Sequence, residues 1–331
     1  MSAQSHAVGT ALPAAVIDAS RRAERDARAD KLFRGLLAAA GIFVLLTLIG
    51  IALSMLWGGR EALAEFGIGF FFSAEWDPVN HKFGALIPIY GTLVSALIAM
   101  LIAVPVSFGI ALFLTEIAPT WMRGPVSSAI ELLAGIPSII YGMWGLFVFV
   151  PLVGEHVAPW LNDTLGSWPL IGPLFTGPPL GIGMLTAGFV LAIMVIPFIS
   201  SVMREVFLTV PTRLKESAYA LGSTKWEVVW DIVLPYTRTA VVGGVFLGFG
   251  RALGETMAVA YLVGNSVKFT PSLLEPSTTI AALIANDFNE STGLHRSSLL
   301  LLGFVLFLVT FVVLAAARLM LLRLSRKEGN A

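Results

Sequence analysis

Cysteine is absent from the 331 residues, which excludes disulfides, thiol nucleophiles and Cys-ligated metal. Charge is sparse as well. Asp, Glu, Lys and Arg make up 13% of the chain and cancel to a formal net charge of zero, so bulk charge points to neither nucleic acid nor an anionic lipid surface. The four histidines, His6, His81, His156 and His295, are scattered through expected loops without the close spacing of a metal site. The G-x-x-x-x-G-K-[S/T] order of a phosphate loop is also missing. Gly222-Ser223-Thr224-Lys225 only mimics it, and no buried parallel strand precedes it. The chain is therefore not expected to hydrolyse ATP, and no enzymatic role or cofactor of its own is expected.

Apolar surface, by contrast, is in excess. A hydrophobic share of 56% and a mean hydropathy of +0.85 exceed what a soluble core of this length can hide, so lipid must be part of the solvent. Runs long enough to cross a hydrocarbon core of about 30 Å lie near residues 32–57, 84–115, 127–153, 180–203, 237–263 and 297–322. The expected fold is an all-α integral membrane protein with six transmembrane helices, forming one membrane domain over residues 31–324. Pro88, Pro105 and Pro137 interrupt the second and third runs, where tilts, kinks or a re-entrant piece are expected. Pro105, Pro137 and Pro197 read equally well as hinges or as packing prolines.

Basic residues set the orientation. With the N-terminus inside, the cytoplasmic segments hold sixteen Lys and Arg, among them Arg21, Arg22, Arg25 and Arg28, Arg213, Lys215 and Lys225, and Arg323 and Arg326. The outer loops hold four, Arg60, Lys82, Lys268 and Arg296. The positive-inside rule then places both termini in the cytoplasm. Glu24, Asp26 and Asp30 precede a first run too long for a signal-peptide core, so it reads as an uncleaved anchor. Residues 1–30 are left between disorder and a surface helix, and 325–331 form a cytoplasmic tail. Trp57, Trp76, Trp121, Trp160 and Trp168 fall near expected interfaces, as an aromatic belt would.

One polar island interrupts this pattern, from Glu216 to Pro235 inside a loop spanning 212–235. Lys215 to Leu221 are mostly good helix formers, and Gly222 follows where a helix end needs positive φ. Thr224-Lys225-Trp226-Glu227 fits a capping box at a second helix start. Pro235 is expected to stop that helix or to open the next span. The spacing of Glu216-Ser217-Ala218, Gly222 and Ile232-Val233-Leu234-Pro235 resembles the EAA loop in membrane subunits of bacterial ABC importers, with Ser217 in place of Ala as the visible departure. That resemblance implies two short helices docking on a separate ATPase, through Glu216, Ala218, Gly222 and Pro235.

The expected fifth helix carries GGVFLGFGRALGETMAVAYLVGN, Gly243 to Asn265. Gly244 with Gly248, and Gly250 with Gly254, make two small-xxx-small pairs that let a neighbouring backbone approach. Arg251 and Glu255, four residues apart, are expected on one helix face, roughly 20 Å along from Thr237. A lone Arg at a helix centre costs roughly 2.5 to 3.5 kcal/mol on insertion scales, so it must face protein or water. Two readings stand: a structural ion pair locking helices together, or an anion station whose guanidinium fork meets phosphate or sulfate oxygens while Glu255 holds it.

GRALGETMAV and ELLAGIPSIIYG, Glu131 to Gly142, are similar to the permease subunits of the bacterial high-affinity phosphate (Pst) importer, over about residues 32–323. The resemblance implies a multi-pass protein of the bacterial inner membrane that imports inorganic phosphate. Its implied partners are a homologous PstA-like permease, a PstB-like ATPase dimer binding ATP and Mg, and a PstS-like phosphate-binding protein. Sulfate and molybdate permeases share an Arg-Ala-x-Gly-Glu core and remain the alternative. A self-sufficient channel or secondary transporter is the rival from another class, set against by the docking loop and the lack of paired inverted halves.

Overall fold

The computed structural model describes the backbone of residues 14–328 and the side chains of residues 30–322. Among the described residues, six helices are long and apolar enough to cross a membrane: Asp30–Gly58, Leu86–Ile117, Ser138–Leu165, Met184–Leu208, Lys225–Leu253 and Gly293–Leu322, here the first to sixth spans. Among the described residues there is no strand, only the isolated bridges of Asp77 with Lys82 and Gly264 with Ser277. The chain divides into two compact units, one ending at Ser54 and the other beginning at Met55. In the first, the helix of the first span begins at Ala14, so residues 14–30 extend that helix. Residues 1–13 and 329–331, which complete the expected terminal segments, lie outside the described residues.

Two spans differ from expectation. The third occupies Ser138–Leu165 rather than 127–153. The apolar run is cut at Gly135-Ile136-Pro137, where Pro137 is extended at φ −56° and ψ 137° and ends the separate helix Thr120–Ala134. Proline cannot continue the helix before it but is well placed at the start of the next. The fifth helical run starts earlier and ends sooner than 237–263. It begins at Lys225 and stops at Leu253, before a short helix Met257–Leu262.

Proline also explains a feature that hydropathy does not reveal. Four stretches, Phe113–Ile117, Gly145–Phe149, Val153–Val157 and Val229–Val233, wind as wider, π-type turns. Each is followed two residues later by a proline: Pro119, Pro151, Pro159 and Pro235. The proline ring collides with the carbonyl one turn back and offers it no N–H. At the last three, widening the turn relieves both problems without ending the helix, whereas the first closes the second span, with Ala118 already extended. Pro235 accordingly neither stops the second docking helix nor begins a new one; the helix runs through it from Lys225 to Leu253.

In the unit beginning at Met55, the second and fourth spans pack along their lengths through small residues. Ala96, Ala99 and Ala103 face a core shared with Ala187, Ala192 and Val195, all at 0–1% exposure. A Cβ on Gly188 would lie 2.7 Å from Ile98 Cγ2, so only glycine permits this backbone approach. In lipid such contact, with van der Waals packing and interhelical hydrogen bonds, replaces the hydrophobic drive; Ser107 Oγ donates to the Ile196 carbonyl across the seam at 3.1 Å. A second cluster gathers Phe70, Trp76, Phe83, Leu299 and Leu302. There Ser297 Oγ accepts from Ala62 N–H at 3.1 Å and donates to the Gly58 carbonyl at 2.9 Å. Trp76 thus departs from the expected aromatic belt: it is 7% exposed and packs edge-on against Phe83 at 5.0 Å. Trp57, Trp121, Trp160 and Trp168 are exposed.

Candidate docking elbow and intramembrane arginine

The polar island folds into an elbow. Its first helix is Thr212–Ala220, and Gly222 follows at φ 90°. At that turn Gly222 N–H donates to the Tyr219 carbonyl at 3.0 Å and Ser223 N–H to the Ala218 carbonyl at 3.1 Å. These bonds satisfy carbonyls that the helix end leaves open. The second helix then starts on the expected capping box. Thr224 Oγ1 accepts from Glu227 N–H at 3.3 Å, and Glu227 Oε2 accepts from Thr224 N–H at 2.7 Å.

The four elbow positions have different surroundings. Glu216 is exposed and open to a partner. Ala218, at 9% exposure, is buried and belongs to the core cluster that also holds Val228, Val229 and Val233. Gly222 makes the turn, and Pro235 is an exposed residue of the continuous helix. Sequence reasoning passed over three apolar side chains here: Leu221 is 88% exposed, Trp226 64% and Leu214 43%. These side chains add exposed apolar surface to the otherwise polar elbow.

Arg251 stands two residues before the end of the fifth span, and its side chain is exposed. Its guanidinium carbon lies 5.8 Å from the Phe198 ring centroid, on the fourth span beside Pro197. Glu255 is not on a shared helix face with it. The helix stops at Leu253, Gly254 caps it, and Glu255 turns forward so that Oε1 accepts from Ala258 N–H at 3.4 Å, at the start of the next short helix. Among the described residues no carboxylate lies within ion-pair distance of Arg251. Of the two readings, the Arg251–Glu255 locking pair is not formed among the described residues, because the helix breaks between its members. The open carbonyls of the helix end supply the partial negative charge that favours a cation there.

The glycine pairs also separate. A Cβ on Gly248 would lie 2.6 Å from Ile199 Cδ1, and one on Gly244 2.8 Å from Val202 Cγ1, both on the fourth span. That pair is an interface within the chain. Around Gly250 the nearest atom is Leu314 Cδ2 at 3.5 Å, and around Gly254 only its own helix carbonyls approach, at 3.8 Å or more. The second pair makes no close helix contact here. Among the described residues no three of His, Cys, Asp and Glu converge as metal ligands. His295 instead stacks on Phe83 at 5.2 Å with Asp287 Oδ2 3.5 Å from Nε2.

Six candidate membrane spans among the described residues, an exposed two-helix elbow and an arginine at the end of the fifth span are the features of a multi-pass transport permease. Solved structures support that fold. A bacterial ABC transporter involved in import of the acidic polysaccharide alginate gives a TM-score of 0.55 at 19% identity, covering 91% of this chain and 99% of that one. The same kind of transporter in complex with an alginate pentasaccharide-bound periplasmic protein gives 0.56 at 18% identity, covering 89% and 96%. The model of the family described as "Binding-protein-dependent transport system inner membrane component" matches residues 89–326, and the protein belongs to that family.

Curated relatives are all-length matches. A phosphate transport system permease protein PstC of Xylella fastidiosa is 75% identical, over 92% of this chain and 94% of its own. Those of Pasteurella multocida, 56% identical over 91% and 94%, and Mesorhizobium japonicum, 51% identical over 98% and 99%, carry the same name. The protein is thus an inner-membrane component of an ABC importer, and its relatives are permease subunits rather than enzymes.

Proposed function

We propose that the protein is a permease subunit through which inorganic phosphate enters the cell. The observation that carries the reading is Arg251: a guanidinium at the broken end of a span, with no carboxylate at ion-pair distance among the described residues, is a bidentate donor for a tetrahedral oxyanion. The 75% identity to a phosphate transport permease supports phosphate as that anion. The translocation path forms between this chain and a second, PstA-like permease subunit. A phosphate-binding protein of the PstS type delivers the anion to the outer loops, and a PstB-like ATPase dimer, holding ATP and Mg, grips the elbow from the cytoplasm.

The elbow supports the coupling half of the reading. Its capping box and Gly222 turn are satisfied within the chain, so the docking shape exists before the ATPase arrives and little ordering is required on binding. Closure of the ATPase dimer displaces the elbow, and the Lys225–Leu253 helix, widened at Val229–Val233 but unbroken, carries that displacement to Arg251.

The test is ATP-dependent uptake of radiolabelled phosphate into proteoliposomes holding both permeases, the ATPase and loaded binding protein, with sulfate and molybdate as competitors. Phosphate uptake that resists both competitors and collapses in an ATP-hydrolysing Arg251→Gln complex is the expected result. Competition by sulfate or molybdate would overturn the substrate, and undiminished Arg251→Gln transport would remove the arginine from the path.

A further inference from the structure

The elbow is joined by the chain to the fourth span at one end and continues directly into the fifth at the other. It is also fastened to the second. Lys215, one residue before Glu216, directs Nζ at Glu116 Oε1, ninety-nine positions away in sequence. The two side chains are only 15% and 9% exposed. Glu116 lies in the widened turn Phe113–Ile117 that closes the second span. The same carboxylate reaches Tyr219 on the elbow, whose phenol is pushed up first by burial and then by that negative charge. On the elbow's second helix, the Trp230 ring sits 6.3 Å from Phe108 of the second span, and Phe108 in turn meets Phe207 of the fourth edge-on at 5.7 Å.

The two fastenings differ in kind. Ring contacts are non-directional, and rings can slide over one another at small cost. A buried charge-assisted contact fixes direction and register. Stability alone gives no reason for a charged pair here, since a well-packed apolar pair often holds such a place equally well, while removing one partner strands the other charge. A pair of this kind resists separation and moves as a unit.

We infer that Lys215 and Glu116 are positioning residues that transmit the elbow's displacement to the second span, making that span a third lever beside the fourth and fifth. The tight Ala and Gly seam between the second and fourth spans then obliges these two to move together. This rests on the reading that the elbow docks on an ATPase.

The experiment compares phosphate taken up per ATP hydrolysed in the complete reconstituted importer, for wild type, Glu116→Gln, Lys215→Glu and the exchanged pair Glu116→Lys with Lys215→Glu. Each single variant is expected to assemble and hydrolyse ATP while its uptake per ATP falls at least about fivefold, the lower end of typical coupling between sites. The exchanged pair is expected to recover most of that loss. Single variants that keep the wild-type ratio, or an exchanged pair no better than either, would overturn the proposal. Failure of Glu116→Gln to co-purify with the ATPase would also overturn it, in favour of a purely structural tie. A wild-type complex without ATP-dependent uptake would instead sink the docking reading itself.

Discussion

Replacing Gly248 by Ala isolates the contact between the fourth and fifth spans. The added Cβ would lie 2.6 Å from both Cδ1 and Cγ1 of Ile199 and 3.5 Å from Val195 Cγ1. Ile199 is 0% exposed, so it has no free space to rotate into and the helices must part. Overpacking of this size costs about 1–3 kcal/mol, set against a gain of about 1 kcal/mol from Ala's better helix propensity. Gly250→Ala makes the same propensity change two residues further on, where the nearest neighbour is Leu314 Cδ2 at 3.5 Å, an ordinary contact. Propensity cancels in the comparison, so the two variants should differ by about 2 kcal/mol, Gly248→Ala being the less stable. Denaturant titration of the purified subunit in detergent, followed by circular dichroism, measures this. Adding Ile199→Ala to Gly248→Ala should cost less than the sum of the two changes, because each relieves the other. Coincident curves for Gly248→Ala and Gly250→Ala would refute the assigned interface.

Three further outcomes are expected. Gly222→Ala meets no atom within 4 Å but forces a side chain to φ 90°, a strain of about 1–2 kcal/mol, and pull-down of the ATPase should weaken accordingly while the spans stay folded. Thr224→Ala removes one half of the capping box at a cost of about 1 kcal/mol, read as faster amide exchange over Lys225–Val228, whereas Trp226→Ala should reduce ATPase binding with no such change. At the opposite end of the spans, Asp77 is held below the ordinary aspartate value by the Asn80 side-chain amide, then by the Asn80 backbone N–H. Its turn is therefore stabilised above the ordinary value and loses that stabilisation as pH falls through the lower folded value. A carboxyl NMR titration should show Asp77 rising toward the ordinary value in Asn80→Ala.

Much of the elbow was legible because its signals are local. Gly222 had to take positive φ and Thr224 had to meet Glu227 three residues on, whatever lay around them. The six spans were legible because lipid leaves a run of some twenty apolar residues few alternatives to a helix. Boundaries were less legible where proline intervened: hydropathy joined 127–153 across Pro137, and the widened turns before Pro119, Pro151, Pro159 and Pro235 leave no trace in apolar content.

Pairings across the bundle depended on packing. Arg251 and Glu255 have the spacing of a helical ion pair, yet the helix ends at Leu253 and the pair does not form. Gly244 and Gly248 face the fourth span while Gly250 and Gly254 do not, although both pairs read alike. Glu116 and Lys215 had no sequence signal beyond a carboxylate near the end of an apolar run. The solvent, the number of spans and the preformed elbow follow from local chemistry alone, from side-chain transfer energies and from turn and cap bonds within a few residues. Which charges meet and which glycines touch is set by packing, because a contact between residues ninety-nine positions apart depends on how whole helices are rotated and seated against one another.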